Sequence, residues 1–230
     1  MIYQPLLVHG KLIRRYKRFL ADVLLDDGTE VIAHCTNSGS MKSCLEQDAE
    51  VYLSPVTDIK RRTRHTWEMI KINGDWVGIN TSVPNKLVYE SLIAGIIPGF
   101  ENTSAVVREV CFGNSRFDLF AESGEEKCFI EVKNVTLKQG HFALFPDAVT
   151  VRGQKHLKTL VEVKKAGMRS VMLYIVQRTD VEVFAPATDI DPVYAHLLKE
   201  AVREGVEVIA LQARVSPLQV EIVKQLPVEI

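Results

Sequence analysis

The sequence has few cysteines, no long apolar run and no excess of charge of either sign, and each shortage excludes a class of protein. Its four cysteines, Cys35, Cys44, Cys111 and Cys128, form no Cys-x-x-Cys pair. Neither a zinc ribbon nor a dense disulfide framework is indicated, and reduced, mostly buried thiols are expected. The longest mostly apolar stretch, Leu92 to Phe100, is interrupted by Gly95 and Pro98 and is far shorter than the ~20 residues that span a bilayer. Met1 to Lys11 lacks the basic start, apolar middle and small-residue cleavage site of a signal peptide. The expectation is a cytoplasmic protein with no membrane partner. With 28 Lys and Arg against 29 Asp and Glu, the net charge is −1, so a polyanion site must be a local patch rather than a property of the whole chain. Only 13 Gly and 9 Pro, with 47% hydrophobic residues, exclude collagen-like, low-complexity and disordered chains.

What is present reads as two halves, 1–81 and 82–230. Runs near Tyr3 to Ile13, Phe19 to Leu25, Glu30 to Cys35, Glu50 to Val56 and Thr66 to Ile72 are rich in β-branched and aromatic residues. Asp27-Gly28 and Asn73-Gly74 supply tight-hairpin turns between them. Short strands with almost no helical period predict a small β-barrel, and the OB-fold suits this length. From Ser82 the pattern changes. Pro84-Asn85 opens a helix with Leu87, Val88, Ser91 and Leu92 at helical spacing and an exit at Gly95. Three strands follow, about Ala105 to Phe112, Arg116 to Ala121 and Lys127 to Val135. Thr150 then caps a helix from Val151 to Lys165, Ser170 to Val176 reads as a strand, Asp191-Pro192 opens another helix, and Val206 to Leu211 a last strand. The fold class is mixed α/β: an OB-like barrel followed by a mixed sheet flanked by helices.

The segment from Arg116-Phe117-Asp118 to Glu131-Val132-Lys133 carries the most chemistry. A four-residue hairpin loop at Ser123 to Glu126 places Asp118 opposite Glu131. The two-residue period of a strand puts Phe129, Glu131 and Lys133 on one face and Cys128, Ile130 and Val132 on the other. Carboxylates facing one another across a ladder have Cβ atoms about 5 Å apart and destabilise it. At an effective dielectric of about 20 the repulsion is on the order of 3 kcal/mol. A divalent cation, Mg²⁺ or Mn²⁺, offsets it, and Lys133 on the same face can orient a water or stabilise charge on a phosphate. The same three residues also fit the solvated face of an edge hairpin, with Lys133 neutralising the pair. Pro146-Asp147 followed by Glu162-Val163-Lys164 matches the same letters, but it puts Glu and Lys on a helix, where residues two apart point about 200° apart.

Helix, three strands carrying Asp then Glu-x-Lys, helix, strand resembles the core of the PD-(D/E)xK nuclease superfamily, with Phe117 where that name has proline. More closely, Ser115-Arg116-Phe117-Asp118, Phe129 to Leu137, Phe145-Pro146-Asp147-Ala148-Val149-Thr150 and Arg152-Gly153-Gln154-Lys155-His156-Leu157 resemble the sugar fermentation stimulation protein A (SfsA) family. His34 to Gly39 and Ile190-Asp191-Pro192 extend the likeness over nearly the whole chain. The resemblance implies an N-terminal OB-fold, a nuclease-like C-terminal domain and DNA as partner, bound with little sequence preference. It also matches Glu90 to a helix glutamate of the family, which in many superfamily nucleases lies near the metal; a boundary charge on an amphipathic helix is the equal alternative. Arg152, Lys155 and His156 fall in the first turns of a helix, where amide N–H groups favour phosphate. In the first half, Arg14, Arg15, Lys17 and Arg18 surround Tyr16, and Lys60, Arg61, Arg62 and Arg64 precede a strand. Such clusters contact phosphates beside stacked bases, or else form solvated faces.

Two functions follow. One is a DNA-binding protein whose Asp118, Glu131 and Lys133 hydrolyse phosphodiester bonds with a metal held by Asp118, Glu131 and Glu90. The other is a non-catalytic DNA-binding regulator of sugar (maltose) metabolism. RNA processing is a third, weaker reading.

Overall fold

The computed structural model describes residues 1–230. Six strands form the first sheet: β1 (Val8–Tyr16), β2 (Leu20–Leu25), β3 (Glu30–His34), β4 (Glu50–Pro55), β5 (His65–Ile72) and β6 (Asp75–Gly78). β1 pairs antiparallel with β2 and β4, and the parallel pairs Ala33–His65 and His34–Thr66 join β3 to β5. That last contact closes a five-stranded barrel, the OB-fold, with β6 added on β5. Asn73 and Gly74 both take positive φ, 53° and 89°, as a type I′ hairpin turn requires. Leu12, Val23, Leu53 and Trp67 fill the barrel.

The first strand begins at Val8 rather than Tyr3, because Pro5 has no N–H to give a ladder. The residues before it cross to the other half of the chain. Tyr3 N–H donates to the Leu218 carbonyl at 3.0 Å, and Val220 N–H to the Met1 carbonyl at 2.9 Å.

The second half contains α1 (Val83–Ile93), β7 (Ala105–Phe112), β8 (Ser115–Ser123), β9 (Glu126–Val135), β10 (Leu137–Gln139), β11 (Phe142–Phe145), α2 (Val151–Lys165), β12 (Arg169–Val176), β13 (Val183–Pro186), α3 (Pro192–Arg203), β14 (Glu207–Val215) and β15 (Val220–Leu226). The main sheet runs β15-β14-β12-β9-β8-β7, parallel at its centre and antiparallel at its edges. β12 and β14, rich in Val, Ile, Leu and Met, are buried through most of their length, as central strands covered on both faces must be. α1 covers one face through Leu87, Val88 and Leu92. α2 and α3 cover the other through Leu157, Leu160, Tyr194 and Leu198. Thr150 caps α2 by accepting from Gly153 N–H, and Asp191 caps α3 by accepting from Tyr194 N–H. The short sheet β10-β11-β13 and the edge strand β15 add to the elements the sequence pattern predicts.

Barrel and α/β domain share packing. Tyr3 and Met69 belong to the same buried cluster as Val88 and Leu173. Gly78 N–H donates to the Gln177 carbonyl at 2.9 Å, and a Cβ on Gly78 would overlap the Gln177 side chain. All four cysteines are free, and Cys111 alone is exposed. No helix is long and apolar enough to cross a membrane.

Candidate functional site

The β8–β9 hairpin turns on two residues, Gly124 and Glu125, not four, because Ser123 and Glu126 already pair. The register then runs through Leu119–Ile130, which makes Asp118 and Glu131 the next pair. There the ladder gives way. Val132 N–H donates to the Asp118 side chain (Oδ2, 2.9 Å) in place of a backbone carbonyl, and Asn85 of α1 donates its Nδ2 to Asp118 Oδ1 at 2.7 Å. β9 keeps its alternation, with Ile130 and Val132 toward α1 and Phe129 toward α2. β8 does not: Phe117 packs with the α2 core and Leu119 with the α1 core, although they lie two apart. The opposite strand β7 carries a positive φ of 58° at Glu109, the position facing Asp118. Arg108–Leu119 and Val110–Phe117 keep one register on either side, so β7 and β8 part at Glu109 and Asp118 with no residue inserted.

Glu131 is 2% exposed. Its Oε1 accepts from Lys133 Nζ and from His156 Nδ1 of α2; a carboxylate oxygen only accepts, so the imidazole proton sits on Nδ1. Its Oε2 is buried and has no hydrogen-bond partner. Burial would raise the Glu131 carboxyl, but the His156 hydrogen bond and the Lys133 charge outweigh it and hold the group below the ordinary range. Asp118 goes the other way: burial first, and then the charge of Glu131, push its carboxyl up. One ionised and one reluctant carboxylate therefore line the same cleft with Lys133. No cluster of three or more His, Cys, Asp or Glu gathers there. The donor set is two carboxylates beside amide and main-chain groups, which suits a hard cation that keeps several waters.

The other residues singled out in the sequence divide. Glu90 does not reach the carboxylate pair. It faces the Met1 amine at 3.7 Å and Lys86 at 3.8 Å. Asn85 occupies the place instead, five residues earlier and so about 140° around the helix. His156 is not an exposed phosphate contact: it is 4% exposed, turned inward on Glu131. Its position was readable, since Gly153, His156, Leu157, Leu160 and Val163 form the buried face of α2. Arg152 lines the cleft. Lys155 is exposed and donates to the Asn114 carbonyl at 2.6 Å.

The first basic cluster also splits. Arg14 pairs with Asp22 at 2.7 Å and lies over the Tyr16 ring. Arg15 donates to the Asn37 and Gly39 carbonyls at 2.8 and 3.0 Å, fixing that loop, while Arg18 donates to the Ser38 carbonyl and lines the cleft. Lys17 is exposed in the β1–β2 turn. Lys60, Arg61, Arg62 and Arg64 are exposed in the β4–β5 connection, where Arg64 donates to the Asp58 carbonyl. Gln177, just past β12, donates to Asn134 Oδ1 of β9 at 2.7 Å and crosses to the barrel half through the Gly78 and Asn80 carbonyls at 3.4 and 3.3 Å.

The cleft has a volume of about 480 Å³ and lies between the halves. One wall is the barrel loop Thr36 to Gly39 with Arg18, and the other runs from Phe145 to Arg152. Asp147 contributes more than the sequence suggested. Its Oδ2 accepts from Met41 N–H at 3.3 Å, and its carboxylate packs so closely on Gly39 that any Cβ there would overlap it.

Residues 82–219 match the family model described as "Sugar fermentation stimulation protein RE domain", and residues 13–79 match "SfsA N-terminal OB domain". A sugar fermentation stimulation protein homolog of Geobacter sulfurreducens is 51% identical over 99% of this chain and 98% of its own. Another, from Shewanella, is 45% identical over the full length of both. The solved structure of SfsA from Pyrococcus furiosus in complex with Ca²⁺ superposes with a TM-score of 0.91 at 29% identity, covering 100% of this chain and 98% of that one. With both halves matched in order and relatives aligned end to end, the chain belongs to the sugar fermentation stimulation protein family.

Proposed function

We propose that this protein binds DNA through its phosphates with little sequence preference, and that Asp118 and Glu131 hold a divalent cation, Mg²⁺ or Mn²⁺, for phosphodiester hydrolysis. The observation that carries the reading is Glu131 Oε2, a buried oxygen of an ionised carboxylate with no partner beside a second carboxylate. A buried anionic oxygen left unpaired is costly, and a cation held by Glu131 and Asp118 would offset that cost and the repulsion between the two carboxylates. The Ca²⁺ complex of the Pyrococcus relative supports such a site here. A cation held there polarises a phosphoryl oxygen and lowers the pKa of a bound water.

The chain's own groups do the rest. His156 and Lys133 hold Glu131 Oε1, which leaves Oε2 free to ligate. Lys133 also brings a positive charge to the place where a phosphate gains negative charge in the transition state. Arg152 on one wall and Arg18 on the other are placed for phosphates on either side of the scissile one. The helix, three strands, helix, strand order around Asp118 and Glu131-x-Lys133 supports the likeness to PD-(D/E)xK nucleases. The four free thiols suit a reducing cytoplasm.

The name carried by the relatives favours a second reading, a non-catalytic DNA-binding regulator of sugar (maltose) metabolism. One assay separates the two: linear and circular DNA incubated with Mg²⁺ or Mn²⁺ and the parent protein, Glu131→Ala or Lys133→Ala. The hydrolytic reading expects cleavage by the parent and losses of roughly 100-fold or more in each variant. Cleavage that survives both substitutions overturns it. DNA binding with no cleavage by the parent leaves the regulator.

A further inference from the structure

We infer that the cleft admits a single DNA strand and excludes uninterrupted duplex; the inference names the substrate class of the proposed hydrolytic site and rests on that reading. Glu131 lies on a floor that solvent scarcely reaches, and the walls over it come from two different domains. Those walls meet on one side. Asp147, from the β11–α2 loop, accepts from Met41 N–H of the barrel loop and fills the space a side chain at Gly39 would need. Arg15 pins the same loop from behind through two carbonyls. The Asp147 contact bridges the two walls and holds them together on that side of the cleft.

Nor does the joint offer a hinge that would open it. The domains share a buried apolar cluster, and Gly78, Asn134 and Gln177 tie barrel to sheet by hydrogen bonds just behind the site. A volume of about 480 Å³ falls within the ~300–1,000 Å³ of sites that enclose drug-sized ligands. That is room for about one or two nucleotides, without the second backbone and stacked pairs of a duplex.

The rim points the same way. Val149, 67% exposed, lines the cleft on the same wall as Arg152. Exposed apolar side chains next to phosphate-binding arginines favour unstacked bases, since an intact duplex offers them only its charged backbone.

The test uses three labelled DNAs of one sequence: a single strand, a blunt duplex, and a duplex with a central single-stranded gap. Binding is read by fluorescence anisotropy in Ca²⁺ and cleavage in Mn²⁺, with Glu131→Ala as the control for contaminating nuclease. The single strand and the gap are expected to be cut at least about tenfold faster than the blunt duplex, a difference of about 1.4 kcal/mol. Blunt duplex cut as fast, or faster, overturns the inference while leaving the hydrolytic reading in place. Preferential binding of single strand with no cutting of any substrate upholds the inference about the cleft and removes the hydrolytic reading. Failure to bind any of the three overturns both.

Discussion

Asp118 accepts one hydrogen bond at each oxygen, from Asn85 and from the Val132 amide, yet burial and the adjacent Glu131 still hold its carboxyl above the ordinary range. A group whose pKa is raised on folding contributes stability that is present below its unfolded pKa and lost as pH rises through the folded one. At neutral pH the ionised side chain is therefore a cost to the metal-free fold. Asp118→Asn removes the charge and keeps the shape, because the Asn85 amide can turn to accept as well as donate. The expected outcome in EDTA is a gain on the order of 1 kcal/mol, about 2–4 °C in Tm for a chain of this size. The same variant should lose the rise in Tm that added Mn²⁺ gives the parent. Thermal denaturation with and without the metal reads both, and a lower Tm in EDTA would show that the carboxylate is no burden. Sequence pattern brought this pair together by register alone. It left out Asn85, because nothing in a helix entry tells which side chain turns to the neighbouring sheet.

At the scale of elements, legibility followed length and period. The alternation of β9 and the bounds of α2 follow from the sequence pattern, whereas Asp118 sits where β8 loses its alternation and the β8–β9 ladder stops. β10, β11 and β13 run only three to four residues, too short for a period to show. Their small sheet is held in part by Arg178, which is buried at the end of β12. Its Nε and Nη2 donate to Asp180 at 2.6 and 2.9 Å, and Nη1 to the Thr136 carbonyl at 2.7 Å; Lys138 Nζ of β10 joins Asp180 at 2.7 Å. Burial alone would raise Asp180, but these two cations win and bring its carboxyl down to about 2. A lowered folded pKa gives stability that is present above the unfolded value and lost as pH falls toward the folded one. Asp180→Asn leaves a buried guanidinium without its counter-charge and is expected to cost about 3 kcal/mol at neutral pH. Urea unfolding should show the gap between parent and variant shrinking from about pH 4 downward. A gap that stays constant with pH would mean that Asp180 acts by shape rather than charge.

The whole molecule is two domains fused over one buried cluster, and the cleft exists only because they are fused. The change from strand pattern to mixed pattern near Ser82 is plain in the sequence. The contacts that build the cleft are not, since Met41 with Asp147 and Gly78 with Gln177 join residues about a hundred positions apart and leave no periodic trace. Charge is distributed in the same divided way. The chain carries a net charge of −1, so attraction to DNA must come from where the cations sit. Arg18 and Arg152 face the cleft, while Lys60, Arg61 and Arg62 stand exposed on the β4–β5 connection of the barrel. If that loop extends the path of a bound strand, each of its cations releases counterions on binding, at about 0.7 in the slope of log K against log salt per phosphate neutralised. Replacing Lys60, Arg61 and Arg62 together by alanine should flatten that slope by about 2 for a single strand titrated between roughly 50 and 200 mM salt. An unchanged slope would mean that the loop is a solvated face and that the cleft alone holds the phosphates. A flattened slope would place the strand across both domains, entering over the barrel and ending at the carboxylate pair.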